Sequence, residues 1–189
     1  MRLADLSDEE LMNKIKDLSG SDDVQDREKY FNELYTRMYS QAYSFCRYYG
    51  LRHNDILDTI QETFIRVFNY SLSYKKEFKF KPWFFRILFN SINDIWKRKK
   101  LHLHENIEDR AEITGEESPQ IKLFHDRRLL DSMIYRLPKY LKDCLLLYAY
   151  QDMDYQSIGM TVGISPRHAR NRVDEAIREL RSIAGEYSD

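Results

Sequence analysis

The chain has 189 residues, with 30 Lys+Arg against 31 Asp+Glu and a mean hydropathy of -0.67. That length holds one compact domain or two small ones, and the even charge excludes a uniformly basic nucleic-acid coat or a uniformly acidic tail. No apolar run approaches the ~20 residues that cross a bilayer, and the opening Met1-Arg2-Leu3-Ala4-Asp5 lacks the apolar core of a signal peptide. Cys46 and Cys144 lie far apart and form no CxxC pair, which argues against a disulfide scaffold or a cysteine-rich zinc site. The expectation is a soluble cytoplasmic protein with two buried thiols. Only 6 Gly and 4 Pro interrupt long amphipathic stretches, so the expected fold class is all-α.

Ser7-Asp8-Glu9-Glu10 is a capping box that opens a first helix, followed by Leu11, Ile15 and Leu18 at helical spacing and ended by Gly20. After the polar stretch Ser21 to Asp26, a second helix is predicted from about Arg27 to Tyr49, with Phe31, Leu34, Tyr35, Met38, Ala42 and Phe45 on one stripe. Gly50 suits the position after its end. Asn54 or Asp55 opens a third helix carrying Ile56, Ile60, Phe64 and Val67. Tyr70 to Phe80 reads as a loop or frayed helix. Pro82 suits the first position of a fourth helix that runs to about Lys100. Residues 101–119 then hold six acids and one base, broken by Gly115 and Pro119, which reads as a solvated linker. Helical patterning returns at Lys122 with Leu129, Leu130, Met133 and Ile134, Pro138 marks a boundary, and Tyr140 to Tyr150 is strongly apolar. The chain therefore divides into a helical domain over 1–100, an acidic linker over 101–121 and a second helical domain over 122–189.

The second module holds the most informative stretch. Asp154 caps a short helix with Ile158 and Val162 inside, Gly163 permits a left-handed turn, Ile164 plugs the angle, Ser165 caps the next helix and Pro166 takes its first position. That helix places Arg167, His168, Arg170, Asn171 and Arg172 in its first two turns, opposite the apolar stripe Ala169, Val173, Ala176, Ile177 and Leu180. A recognition helix has this build, with Arg suited to guanine edges and phosphates and Asn to adenine. An Arg-bearing amphipathic helix alone reads better as a solvated helix. The short helix, glycine turn and capped helix together point to a DNA-reading helix-turn-helix.

In the first module, Lys75 to Lys100 carries nine bases and two acids, a net of +7 in a chain of net -1. Interleaved with them are Phe78, Phe80, Trp83, Phe84, Phe85, Phe89 and Trp96. Lys and Arg tracking phosphates beside rings that stack on unpaired bases is what single-stranded DNA binding requires. Helical spacing puts Trp83, Arg86, Asn90, Asn93 or Asp94, and Lys97 on one face, with Phe84, Ile87, Leu88, Ile92 and Ile95 on the other. The competing reading makes the rings core and the Lys run an ordinary helix C-terminal charge, and for any single Phe it is the better one. Asp55, Asp58, Gln61 and Glu62 form a separate acidic face that suits a protein partner with a basic groove, although taken alone it reads as a solvated face.

In this order the pieces resemble the extracytoplasmic-function (ECF) sigma factors of bacterial RNA polymerase. Leu6-Ser7-Asp8-Glu9-Glu10-Leu11 resembles the family's opening and Phe31-Asn32-Glu33-Leu34-Tyr35 its F-x-x-L-Y. Asp55 to Phe64 is similar to D-A-x-D-L-x-Q-E-x-F. Phe80 to Asn90, with Asp94 and Lys97-Arg98-Lys99-Lys100, is similar to F-x-x-W-L-x-x-I-x-x-N…D-x-x-R-R. Leu137-Pro138 and the helix-turn-helix resemble the fourth region. The resemblance implies that Asp55, Asp58, Gln61 and Glu62 dock on the β′ clamp of core RNA polymerase. It implies that Lys75, Lys76, Lys79, Trp83, Arg86, Asn90, Lys97 and Arg98 act on the minus-ten promoter element, with the loop Ser71 to Lys79 setting a flipped base. Ser165, Arg167, His168, Arg170, Asn171 and Arg172 would meet the minus-thirty-five element, while the second module's apolar face seats on the β-flap and the acidic linker threads the polymerase channel. An anti-sigma factor is a further implied partner. Thr59 stands where the family has Leu, which would soften the clamp contact, and Asp174 and Glu175 stand at recognition-helix positions often basic or neutral.

Two other readings remain. A helix-turn-helix regulator would bind operators as a dimer without polymerase, and a sigma-like decoy would bind a regulator but should have lost the Arg and Lys donors. His102 and His104 beside Glu105 could pose as a metal site, yet in an acidic tether they read as solvated. With no nucleophile–base pair and no phosphate-binding glycine loop, the expectation is no enzymatic activity, cofactor, metal or small-molecule substrate.

Overall fold

The computed structural model describes residues 2–19, 23–103 and 121–186, with side chains for all of these except 100–103, 121–128 and 186. Among the described residues eight α-helices follow one another: α1 (Asp8–Asp17), α2 (Val24–Tyr48), α3 (His53–Asn69), α4 (Phe80–Leu103), α5 (Ile121–Arg136), α6 (Lys139–Gln151), α7 (Tyr155–Val162) and α8 (Pro166–Glu186). Short 3-10 turns occupy Leu3–Asp5 and Ser71–Ser73, and no strand occurs among the described residues. Gly20, most of the acidic stretch 101–119, and His104 lie outside the described residues, as does the side chain of His102.

Local chemistry sets most boundaries. The capping box forms as its residues dictate: Ser7 Oγ accepts from Glu10 N–H at 3.2 Å, and Glu10 Oε2 accepts from Ser7 N–H at 2.7 Å. Arg37 of α2 fastens the N-terminal turn by donating to the carbonyls of Leu6 (2.6 Å) and Leu3 (3.0 Å) and to Asp8 (3.1 Å). Gly50 takes φ 69°, the left-handed conformation that lets α2 stop. The fourth helix begins two residues earlier than Pro82 suggested. Glu9 of α1 accepts the Phe80 N–H at 2.9 Å, a cap from 71 residues away. Pro82 still lies in the first turn, where its missing N–H costs nothing.

The apolar stripes converge on one core. Leu11, Ile15, Leu34, Met38, Phe45, Ile56, Ile60, Phe64, Phe84, Phe85, Leu88 and Ile92 are all buried, each worth roughly 1.5–3 kcal/mol on removal from water. Phe45, Phe85, Phe84 and Phe64 form a chain of rings with centroids 5.1–5.4 Å apart. This core does not stop at the end of α4. It continues through Ile134, Leu146, Leu147, Met153, Ile158, Ala169 and Val173 of the second half. A smaller cluster of Met133, Leu137, Leu141, Leu145, Ala176 and Ile183 joins α5, α6 and α8, with Leu137 at the joint between the first two.

The seam between the halves also carries polar ties. Thr161 Oγ1 of α7 lies 3.3 Å from the Pro82 carbonyl, and Lys79 pairs with Asp154 at 3.3 Å. The Tyr49 hydroxyl donates to the buried Asp143 carboxylate, which also meets Lys139 at 3.0 Å. Cys46 and Cys144 are free and buried, and burial pushes their thiols up to about 12 and about 11, so both stay protonated at neutral pH.

Candidate nucleic-acid and protein interfaces

The α7–turn–α8 unit is built by two side-chain caps and two glycines. Asp154 accepts the Ser157 N–H at 2.7 Å and starts α7. The bonds from Ser157, with Lys79 adding to them, hold its carboxyl below the ordinary range. Gly163 takes φ 80°, and the N–H groups of Gly163 and Ile164 both return to the Gly159 carbonyl, at 2.8 and 2.9 Å. Gly159 is a second requirement that the sequence reading passed over. A Cβ there would lie 2.6 Å from the Ile164 carbonyl oxygen, so no side chain fits where α7 and the turn cross. Ser165 then accepts the His168 N–H at 3.2 Å and starts α8, with Pro166 first.

The first turns of α8 divide by face. Ser165, Arg167, His168, Arg170 and Asn171 are exposed, while Ala169, Val173 and Ala176 are fully buried. Arg172 differs from the expected outward donors. It is half-buried and turns to α6, with its guanidinium 5.5 Å from the Tyr140 ring centre and close enough to Cys144 to oppose part of the upward push that burial gives that thiol. Of the two acids that raised a question, Glu175 accepts from the Tyr140 hydroxyl at 3.1 Å and Asp174 lies 3.8 Å from Arg170. The first ties α8 to α6 through an exposed contact.

On the first half, Lys75, Lys76, Lys79, Arg86, Asn90, Lys97 and Arg98 are exposed. The buried face of α4 is Phe84, Ile87, Leu88, Ile92 and Ile95. Trp83 is half-buried rather than on an open polar face, set edge-on to Tyr74 with centroids 5.2 Å apart and 6.0 Å from Phe80. Phe78 and Tyr70 are the rings of the preceding loop that reach solvent, 46% and 54% exposed. Lys81 turns inward, where burial lowers its ammonium against the opposing pull of Asp152 and Asp8. Lys99 pairs with Asp55.

The acidic face is less open than its spacing suggests. Asp58 and Gln61 are exposed. Asp55 is held by Lys99, and Glu62 by Arg66 at 2.8 Å, which also reaches Asp94 at 2.9 Å. Thr59 is fully buried, its hydroxyl bonded to the Asp55 carbonyl, so it does not face the expected partner. What the reading missed is apolar. Phe31, Tyr35, Tyr39, Leu57, Phe64, Ile65 and Phe68 line an open groove of about 480 Å³ between α2 and α3, with Gln61 on its rim. Leu57 and Ile65 break the i, i+3, i+4 stripe of α3 on its outer side, and that excess of apolar residues was the available signal.

Comparison with known proteins fits this geometry. The Sigma-70 region 2 family model matches residues 34–102, which span α2 to α4. ECF RNA polymerase sigma factor SigE of Mycolicibacterium smegmatis is 30% identical over 156 residues, 80% of this chain and 59% of that protein. RNA polymerase sigma factor NccH of Alcaligenes xylosoxydans xylosoxydans is 26% identical, over 81% of this chain and 86% of NccH. RNA polymerase sigma factor CarQ of Myxococcus xanthus is 26% identical over 134 residues, 68% of this chain and 74% of CarQ. Two solved structures share the fold. CnrH in complex with the cytosolic domain of CnrY gives a TM-score of 0.68 at 18% identity, covering 95% of this chain and 97% of that one. RpoE in complex with the anti-sigma factor NepR, from Bartonella quintana, gives 0.70 at 15% identity, covering 82% and 96%. The chain thus spans about three fifths of the SigE relative and most of the others. Region 2 match, relatives and fold agree: the chain carries Sigma-70 region 2 over residues 34–102 and is similar to RNA polymerase sigma factors, an ECF sigma factor among them, over most of its length.

Proposed function

We propose that the chain is an initiation factor that joins core RNA polymerase, recognises and opens promoters, and directs transcription of a dedicated set of genes. The observation that carries this reading is the presence, on one region 2-bearing chain, of two separate exposed donor sets. One is Lys75, Lys76, Lys79, Arg86, Asn90, Lys97 and Arg98; the other is Ser165, Arg167, His168, Arg170 and Asn171. The first set suits the minus-ten element, where opened strands offer phosphates and unstacked bases. The second suits the major groove at the minus-thirty-five element. Arg172 serves α8 through packing on α6. Residues 1–100 and 122–189 act as the two DNA-reading domains, joined by the acidic stretch 101–121. The chain itself supplies no bond-making step, and it works in the cytoplasm.

Core polymerase would meet Asp58 and Gln61 together with the apolar groove beside them. Charge alone is a weak source of affinity at an exposed face, and the groove supplies the apolar area that the acids lack. The elements named minus ten and minus thirty-five lie about 25 base pairs apart, roughly 85 Å at ~3.4 Å per pair. A compact chain of this length is about 40 Å across. Both elements can be held only after α7 leaves α4, so promoter engagement includes opening of the seam. Since RpoE pairs with the anti-sigma factor NepR and CnrH with the cytosolic domain of CnrY, a partner that holds the halves together is the expected regulator here.

Co-elution with bacterial core RNA polymerase tests the reading. Binding by the native chain that is weakened by Asp58→Ala and by Leu57→Ser supports the clamp assignment. A folded native chain that never co-elutes overturns it and leaves an operator-binding regulator. Glu62→Ala is the less informative variant, because it also removes one of the two carboxylates that hold Arg66.

A further inference from the structure

The loop between α3 and α4 hangs from α1. Along ten residues it meets that helix and the residues just after it at four points. Ser19 Oγ lies 3.5 Å from Ser71 Oγ, Lys16 Nζ donates to the Tyr74 carbonyl at 2.7 Å, Asp17 lies 3.7 Å from Lys76 Nζ, and Glu9 accepts the Phe80 N–H at 2.9 Å. Between these points the loop is plugged rather than free. Tyr74 is fully buried, its ring edge-on to Trp83, and its hydroxyl donates to the Phe78 carbonyl. Ser71 is buried as well. The residues left outside are Leu72, Ser73 and the run Lys75 to Lys79, in which Glu77 is the one acid.

We infer that α1 is a template that shapes the 71–79 loop for promoter recognition, and that Lys16 is a positioning residue for it, acting through the Tyr74 carbonyl. This inference rests on the proposed reading that the loop meets the minus-ten element.

The physical case has three steps. A loop that captures an unstacked base loses affinity for every conformation it must abandon on binding, so its shape should be fixed beforehand. The template must itself be rigid, and α1 is: its capping box is complete, and Leu11, Met12 and Ile15 are each 0% exposed against α2 and the core. The tie must be strong at its weakest point. The ammonium of Lys16 to the Tyr74 carbonyl is a charge-assisted bond in a part-buried setting, whereas the Lys76–Asp17 contact is long and exposed. Lys16 therefore fixes the middle of the loop, and Glu9 fixes where the loop ends and α4 begins.

The test uses the full chain assembled with bacterial core RNA polymerase. A promoter pool randomised across the minus-ten element is transcribed in vitro, and the transcripts are sequenced to give a base preference at each position. Lys16→Met should flatten preference about tenfold at the loop-read positions, leave preference at the minus-thirty-five element and core co-elution unchanged, and leave the unfolding midpoint within a few degrees. Lys16→Arg should restore the preference. Lys14→Met removes the same charge from an exposed position of α1 and should change nothing. Phe78→Ala alters the loop directly. If Phe78→Ala shifts preference and Lys16→Met does not, the template role is overturned while the minus-ten reading stands. If the native chain shows no minus-ten preference, both are overturned. Loss of output by Lys16→Met with every base preference intact would mark Lys16 as structural only and also overturn the inference.

Discussion

Replacing Tyr49 by Phe removes one hydroxyl from the seam between the two halves. Tyr49 ends α2, and Asp143 sits on α6 with a side chain only 7% exposed. The carboxylate has two partners: the Tyr49 hydroxyl and Lys139, whose side chain is half in solvent. Lys139 also lies over the Phe89 ring at 4.2 Å, which holds it in place. Without the hydroxyl, a buried carboxylate keeps only a partly screened cation. A hydrogen bond to a charged group is worth about 1.5–3 kcal/mol, so Tyr49→Phe should destabilise by about 2 kcal/mol. In a chain of this size each kcal/mol moves the midpoint by ~2–4 °C, so a fall of about 4–8 °C is expected. Urea unfolding followed by circular dichroism supplies the free energy, with m showing whether both halves still unfold together. Tyr49→Phe with Asp143→Leu removes both partners and should recover part of the loss. A single-variant effect under 0.5 kcal/mol would refute the buried tie. Acid titration gives an independent check. Burial raises the Asp143 carboxyl, against the opposing pull of Tyr49 and Lys139. The folded chain then holds this proton more tightly than the unfolded chain does. Its contribution is fully present below the ordinary carboxylate pKa and is lost as pH rises through the raised one. Asp143→Asn should remove that part of the pH slope.

Gly159→Ala pushes a methyl to 2.6 Å from the Ile164 carbonyl; overpacking of this kind costs about 1–3 kcal/mol, and thermal unfolding should show it together with weakened duplex binding. Gly163→Ala meets no neighbour but is held at φ 80°, so about 1–2 kcal/mol should be lost with no steric component. Asp154→Ala removes the α7 cap, for about 1 kcal/mol. Because that carboxyl is held low in the fold, its contribution should be present above the ordinary carboxylate range and vanish as pH falls through the lowered value; an Asp154→Asn variant should be stable without that acid loss. Arg170→Ala should lower the salt dependence of duplex binding by about one unit of slope, measured by fluorescence anisotropy against salt, whereas Arg172→Ala should act on stability.

The elements that were legible in the sequence are those whose cause is local. The capping box of α1, the Asp154 and Ser165 caps and the Gly163 turn are each decided by a few adjacent residues, and each forms as those residues dictate. The buried stripes of α3 and α4 followed from period alone. What escaped has its cause far along the chain. The start of α4 is set by Glu9, and the loop before it by Lys16, neither of which any local window contains. Arg172 and Trp83 looked exposed on a helical wheel, but the wheel does not know that α6 or Tyr74 lies alongside. Gly159 drew no notice because α7 tolerates it as helix, and its necessity appears only where the Ile164 carbonyl crosses.

The same distinction explains how one buried core can serve a protein read as two modules. A composition change marks where a chain is polar, not where its core ends. Residues 101–119 are acidic, so the sequence divides there, yet Ile134, Leu146, Leu147 and Ile158 are buried in the same cluster as Phe84. Apolar area alone would make such a joint permanent. The ties set into it are of a different kind: Thr161 to a carbonyl, Lys79 to Asp154, Tyr49 to Asp143. Each can be exchanged for water at small net cost when the seam opens, because a hydrogen bond's net worth is about 1 kcal/mol while its loss without replacement costs more. Polar groups at the seam thus make partial opening unfavourable and full opening feasible, as the proposed reading of two promoter elements requires.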